Sequence, residues 1–194
     1  IELRLMNIST SQSVSILKNT SSKPMSTILW WHLVNDNSSL STFDIGWSVT
    51  PSLGSPRDRE SLIEGLEKDV LTAISVHSTP TDDSETQSPS NVRKKGISCY
   101  NLVLPLLWDQ LVRKSGWNVE KLWEKISFGP SEFLNQPEEK LSLNSNRWLL
   151  FDPDKEWYQS SKGKQLTTAT NQPIKNKKIV GKVIDCGLIN QAYR

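Results

Sequence analysis

Apolar positions along the chain come in short bursts between polar connectors, and their spacing switches between the helical and the extended period. Residues 1–8 alternate loosely and predict a short strand. Ser9 and Thr10 are placed to cap a helix over about 12–19, with Val14 and Leu17 on one face. After Pro24, the run Met25–Trp31 is apolar and β-favouring, which predicts a buried strand. Residues 35–41 are polar and loop-like, and Phe43, Ile45 and Trp47 then alternate. The clearest helix covers about 56–69. Ser55 is its N-cap, Pro56 its first residue, and Asp58 stands three after the cap. Leu62, Ile63, Leu66 and Val70 form one apolar stripe, and the buried run Leu71–Val76 follows at once. A helix leading directly into a buried strand is the rhythm of a parallel α/β sheet.

Residues 79–95 are almost wholly polar and predict a long exposed loop, a kind of segment that is usually functional or disordered. Helical spacing resumes over 101–114 through Leu102, Leu106, Leu107 and Leu111, and again over 118–126, with Asn118 as cap and Leu122 and Trp123 inward. Beyond Pro137 only strands are predicted: 148–152, a turn at Asp152-Pro153-Asp154, a return over 155–158, and a last strand over 178–184. The expected organisation is a sheet or barrel portion over 1–136 and a small β appendage over 137–194.

Composition narrows the function classes. An apolar share of 36% and a charged share of 23% over 194 residues allow a packed core. Net charge is +2, with no basic stripe interleaved with aromatics, so nucleic acid is not an expected partner. No apolar run approaches the length of a membrane span, and a membrane is not expected either. Two cysteines, Cys99 and Cys186, are too few for a disulfide framework or a cysteine zinc finger, and a cytoplasmic setting is expected. There is no charged lead followed by an apolar stretch. The chain starts at Ile1 without a methionine and reads as a fragment, or as a chain whose start is processed or misassigned. Eight tryptophans are many for this length; they suit an interface or the filling of a core.

Candidate chemistry is sparse. His32 and His77 each follow a predicted buried strand, where α/β sites sit. Neither belongs to a His-x-His or HExxH spacing, and a hydrolytic zinc site needs three or more ligands. The residues alone therefore favour two strand-end histidines without a ligand role, although Asp82 and Asp83 lie close to His77 in sequence. Cys99 precedes a predicted helix, where a thiol pKa can fall, but a structural role is favoured. Ser78 lacks a nucleophile elbow, Gly54 and Gly65 do not make a phosphate loop, and Arg93-Lys94-Lys95 reads as a solvated patch.

Several stretches, in order, carry a family resemblance. Asn7-Ile8-Ser9-Thr10 is similar to a His-Ile-Ser-Thr motif, and Trp30-Trp31-His32-Leu33 to Pro-His-His-Leu. Thr50-Pro51-Ser52-Leu53-Gly54 with Arg57 to Leu62 resembles Asn-Pro-Pro-Leu-Arg and the helix after it. Residues 73–80 resemble Ala-Ile-Ala-Thr-Asp-His-Ala-Pro. Leu104-Pro105-Leu106-Leu107, Leu150-Phe151-Asp152-Pro153 and Gly181-Lys182-Val183 match further segments. The motifs are those of dihydroorotases of the cyanobacterial variety, in the amidohydrolase superfamily, and the resemblance covers nearly the whole chain. It implies the C-terminal half of a TIM-like (β/α)8 barrel, its last four βα units, plus a small C-terminal β appendage. A whole barrel takes about 250 residues. It also implies zinc-dependent interconversion of N-carbamoyl-aspartate and dihydroorotate in pyrimidine synthesis.

The departures from the motif shape the functional expectation. Asn7 stands at the family's fifth-strand metal-ligand histidine and Trp31 at its sixth-strand one, with His32 as the neighbour that usually does not ligate. His77 occupies the place of the aspartate that serves as general base and ligand, and Ser78 the place of the histidine after it. Thr50 and Gly54 replace the substrate-positioning asparagine and arginine. The chain is therefore expected to be an inactive dihydroorotase homologue that binds no zinc. The alternative is an active enzyme whose metal centre is completed by a missing N-terminal half or by a rewired site of His32, His77 and Asp82 or Asp83. A third outcome is a product that never folds stably, since half a barrel exposes strand edges. Precedent for inactive subunits points to aspartate transcarbamoylase, or self-association, as the partner.

Overall fold

The computed structural model of the chain describes residues 2–40, 45–89, 92–98, 100–137, 142–143, 145, 147–159, 169–174 and 177–188. Three parallel strands form its centre: β1 (Arg4–Leu5), β2 (Met25–Leu29) and β3 (Ala73–Ser75), in the spatial order β1-β2-β3. Helix α1 (Ser11–Asn19) links the first two. Its N-cap is Thr10, whose hydroxyl accepts the Ser13 N–H, and it buries Val14 and Leu17 as predicted. A single turn, α2 (Trp31–Val34), follows β2. Helix α3 (Pro56–Glu67) precedes β3, packs on α1, and buries Leu62, Ile63 and Leu66. Its capping box is complete: Ser55 Oγ accepts the Asp58 N–H while Asp58 accepts the Ser55 N–H.

The resemblance implies four strands, and the described residues form three. The described residues between α2 and α3 form two 3-10 turns (Asn37–Ser39 and Ile45–Trp47) and a loop around Pro51, which has no N–H for a ladder. Three other expectations need correction. The first strand shrinks to two residues. The second stops at Leu29, because Trp30 turns into the right-handed helical region. The polar loop after β3 is neither wholly exposed nor irregular: it holds helix α4 (Asp83–Gln87), capped by Asp82 and Glu85, and it buries Thr81. Phe43 and Cys99 lie outside the described residues.

Helix α5 (Tyr100–Leu107) carries Pro105 in its interior and continues as wider π-type turns over Trp108–Lys114. A second helical segment runs through α6 (Val119–Trp123), π turns at Glu124–Phe128, and α7 (Gly129–Phe133), which the spacing did not predict. Strands β4 (Arg147–Tyr158) and β5 (Lys178–Leu188) make an antiparallel ribbon. No turn forms at Asp152-Pro153-Asp154. Asp152 Oδ1 instead accepts the Asp154 and Lys155 N–H groups, and the ladder absorbs the extra residues as a bulge. One half of the ribbon lies on α5. Gly181, at φ 97°, lets the Phe151 ring close over its backbone, and Phe151 also meets Trp108 with ring centres 5.2 Å apart. Ile179 joins the core built by Ile28, Leu29, Leu66, Leu71, Leu102, Leu107 and Leu111. No helix among the described residues is long and apolar enough to cross a membrane.

Candidate functional site at the carboxyl ends of the parallel strands

The carboxyl ends of β1, β2 and β3 lie side by side, because the strands are parallel and paired. Asn7 comes two residues after β1. Its φ of 61° is left-handed, a region asparagine tolerates, and its Oδ1 is buried without a hydrogen-bond partner among the described residues. The next residue ties it to β2, with the Ile8 N–H donating to Thr27 O at 2.9 Å. Trp30 and Trp31 sit at the end of β2, and the Trp30 N–H donates to Ser75 O of β3 at 3.2 Å. His77 and Ser78 follow β3; His77 is exposed and Ser78 half-buried.

An aromatic chain crosses these ends. Trp47 meets Trp30 at 6.5 Å between ring centres, Trp30 meets Trp31 edge-on at 6.1 Å, and Trp31 meets His77 edge-on at 6.4 Å. Trp31 is only 3% exposed. Its indole, and not a histidine imidazole, is the group between β2 and His77. Trp30 and Trp117 are likewise buried, Trp47, Trp108, Trp123 and Trp157 pack against the core, and Trp148 is the tryptophan left open to solvent. Most of the tryptophans therefore serve packing.

His32 is buried, and its Nε2 has no partner among the described residues. Burial, the larger cause, pushes its pKa down to about 4, while the charge of Asp58 acts weakly the other way. The unfolded chain, near the ordinary value of 6.5, takes up the proton more readily. Stability from this group is therefore present above pH 6.5 and is lost as pH falls toward 4. The expected loss between pH 7 and pH 5 is about 2 kcal/mol by urea unfolding. His32→Phe, which cannot titrate, should lack that component, and an unchanged pH dependence in this variant would refute the assignment.

Thr50 is exposed on the loop before α3, and Gly54 sits beside the capping box. A Cβ at Gly54 would come within 2.8 Å of the Asp58 carboxylate, so the position is tied to Asp58. That carboxylate also accepts the Ser11 N–H at 2.8 Å and the Ser55 hydroxyl at 2.7 Å, and these donors hold its pKa well below the usual carboxylate range. Nearby, Asp36 pairs with Arg59 at 3.0 Å. Burial alone would raise the Asp36 pKa, but bonds from Ser38 and the Arg59 charge outweigh it, and the carboxyl lies below its ordinary value.

One residue at these strand ends carried no sequence signal. Asn171, in the connection between β4 and β5, is buried and reaches the loop after β3. Its Nδ2 donates to Thr79 O at 2.8 Å and Gly96 O at 2.9 Å, and its Oδ1 accepts the Thr81 N–H at 3.1 Å. Gly96 in turn donates its N–H to Ser48 O at 2.7 Å. The ribbon connection thus straps the loops that follow the strands.

No family model matches the chain. A dihydroorotase-like protein of Synechocystis sp. is 32% identical to it over 94% of the chain and 42% of that relative. The dihydroorotase of Bacillus licheniformis is 27% identical over 70% of the chain. The chain is a homologue of the dihydroorotases. Solved structures agree on the fold: a D-hydantoinase superposes with a TM-score of 0.80 at 15% identity, over 95% of the chain and 43% of its own length. The dihydropyrimidinase of Brevibacillus agri gives 0.78 at 17% identity. This homologue is thus part of an amidohydrolase-type barrel with a β appendage, and it spans about two fifths of its relatives' length.

The zinc that the resemblance implies can be tested against the donors present. The indole Nε1 of Trp31 carries its hydrogen, and its electron pair belongs to the ring, so it offers nothing to a cation in plane. Asn7 offers a neutral amide oxygen, a weak zinc ligand beside carboxylates and imidazoles. His77 is a competent donor, but it stands edge-on to Trp31. Among the described residues no three His, Cys, Asp or Glu side chains converge on a common point. The set does not fit the metal.

Proposed function

We propose that this homologue is a non-catalytic, dihydroorotase-like subunit, acting in the cytoplasm through assembly with an aspartate transcarbamoylase or with a copy of itself. The observation that carries the reading is Trp31, buried at the end of β2 where the resemblance puts a metal-ligand histidine, with its ring against His77. A hydrolase of this type needs a metal-activated water and a carboxylate to take its proton. Here the carboxylate position is an imidazole and one ligand position is an indole. The changes act together, because losing any one ligand already weakens a catalytic metal site. His32 does not rescue the arrangement: it is buried beside the Trp31 ring, which also contacts His77, and no three His, Cys, Asp or Glu side chains converge among the described residues.

Elemental analysis of the purified chain tests this, alongside turnover assays with dihydroorotate and N-carbamoyl-aspartate. The expected result is zinc far below one per chain and no turnover in either direction. Stoichiometric zinc that disappears in His77→Ala would overturn the reading.

A further inference from the structure

The amino ends of β2 and β3 carry a cleft of about 490 Å³, at the opposite end of these strands from Trp31 and His77. A second hollow of about 520 Å³ shares Met25, Thr72, Glu124 and Glu132 with it, so the two are continuous. Such volumes suit a small organic ligand. The walls come from α1, the approaches to β2 and β3, and the α6–α7 segment, and involve neither β1 nor the ribbon. Lys18, Lys23, Lys68 and Lys125 line the near lobe against Asp69, Glu124 and Glu132. Asp69 and Glu124 are taken up by Lys121 and the buried Lys125, at 2.6 to 3.2 Å. Lys68 pairs with Glu64 on the open face of α3, a contact of small worth. Lys18 acts on Glu64 only from a distance, and Lys23 has no carboxylate in ion-pairing reach among the described residues.

Lys18 and Lys68 stand at the carboxyl ends of α1 and α3, where a cation offsets the helix dipole, so they have a use without any ligand. Lys23 has no such use. It lies between α1 and β2, on the surface, with its backbone at φ 40°, a region natural to glycine and strained for a side chain. Three of the four non-glycine residues at positive φ among the described residues, Lys23, Asp69 and Asn135, line the joined cleft. Strain of this kind collects where a surface is held ready for a ligand. The far lobe adds the half-exposed Phe128 ring, the Ser131 hydroxyl and the amides of Asn135 and Gln136. We propose that the joined cleft binds a phosphate monoester of a hydroxylated metabolite, with the phosphate among Lys18, Lys23 and Lys68 and the hydroxyls toward Glu132, Ser131 and Gln136. A phosphate has three acceptor oxygens and can meet three ammonium groups at once, which a carboxylate cannot. The cleft is also far larger than a bare phosphate fills, which favours an ester over the free ion. The inference goes beyond the non-catalytic reading and involves no metal. Zinc content decides that reading and ester binding decides this one.

The test is titration calorimetry of the full chain with ribose 5-phosphate as probe, and with inorganic phosphate and ribose as separate arms. The ester should bind saturably at one per chain, inorganic phosphate about tenfold or more weaker, and ribose not at all. Lys23→Gln should weaken ester binding by about tenfold, the scale of one hydrogen bond to a charged group. Lys23→Gly should weaken it as much, yet melt no lower than the parent, because glycine relaxes the strained backbone. A merely structural lysine would not separate the two readouts in that way. Lys155→Gln, equally exposed but on the ribbon, should bind like the parent. No saturable binding, inorganic phosphate binding as tightly as the ester, unchanged affinity in the Lys23 variants, or an equal loss in Lys155→Gln would each overturn the proposal.

Discussion

Asn171→Ala is expected to cost about 4 kcal/mol of stability, from three backbone groups left without partners at ~1–3 kcal/mol each. The side chain is buried and gives or takes three hydrogen bonds, to Thr79 O, Gly96 O and the Thr81 N–H. All three belong to one loop, and water does not replace the amide readily in that position. Neighbouring contacts limit the damage: the Thr170 N–H still donates to Thr81 O, and the Gly96 N–H to Ser48 O. The loop should therefore loosen rather than detach, and trypsin should cut faster at the exposed Lys94 and Lys95. Asn171→Asp keeps an acceptor for Thr81 but turns a carboxylate toward two carbonyls, so it should be no milder. A variant that unfolds in urea like the parent, with an unchanged cleavage rate, would contradict the strap.

The strap also shows where sequence reading stops. Its bonds span 75 to 92 residues, and no local pattern marks an asparagine in a polar connection as a hub. Features made by near neighbours were legible. The Ser55-Pro56 start of α3, with Asp58 three residues on, is a self-contained device and forms as read. The runs around β2 and β3 were visible as short stretches without charged residues, although β2 itself carries Ser26 and Thr27, both buried. Their ends were not visible. Trp30 and Trp31 favour strands in isolation, yet the link from the Trp30 N–H to Ser75 O and the turn closed by the Leu33 N–H on Trp30 O carry the backbone into a helix. The same limit explains β4. Asp152-Pro153-Asp154 is a turn signal, but the nine residues of β4 that pair with β5 on either side of it outweigh it, and Asp152 spends its side chain on a bulge.

At the strand ends, motif order located Asn7, Trp31 and His77, and the fold sets them after β1, β2 and β3 in that order. It could not show that Trp31 would be buried with its ring against His77, since that depends on how the turn of α2 is aimed. Thr50 and Gly54 stand where the resemblance has the substrate-positioning asparagine and arginine. Thr50 is exposed, and Gly54 leaves room for the Asp58 carboxylate that caps α3 and receives the start of α1.

Lys125→Ala is expected to cost about 3 kcal/mol, at the low end for breaking a buried ion pair. The side chain is buried at the entry to β3. Its Nζ donates to Asp69 Oδ1 at 2.6 Å and to Leu71 O at 3.3 Å, with Glu124 at 3.1 Å. Alanine would leave the Leu71 carbonyl without this donor and open a void beneath the sheet. Two features hold the cost down. Asp69 keeps Lys121 at 2.8 Å and is itself well exposed, so no charge is stranded in the interior. A cleft of about 490 Å³, lined by Lys18, Lys23, Lys68 and Glu132 among others, adjoins the site and admits water to the freed carbonyl. Lys125→Met separates the two contributions, because it restores the buried stem without the charge and should recover about half of the loss. Urea unfolding of the three proteins decides the matter. Equal losses for Ala and Met would assign the whole effect to the ammonium, and a loss below about 1 kcal/mol for Ala would mean that the pair contributes no more than a surface one.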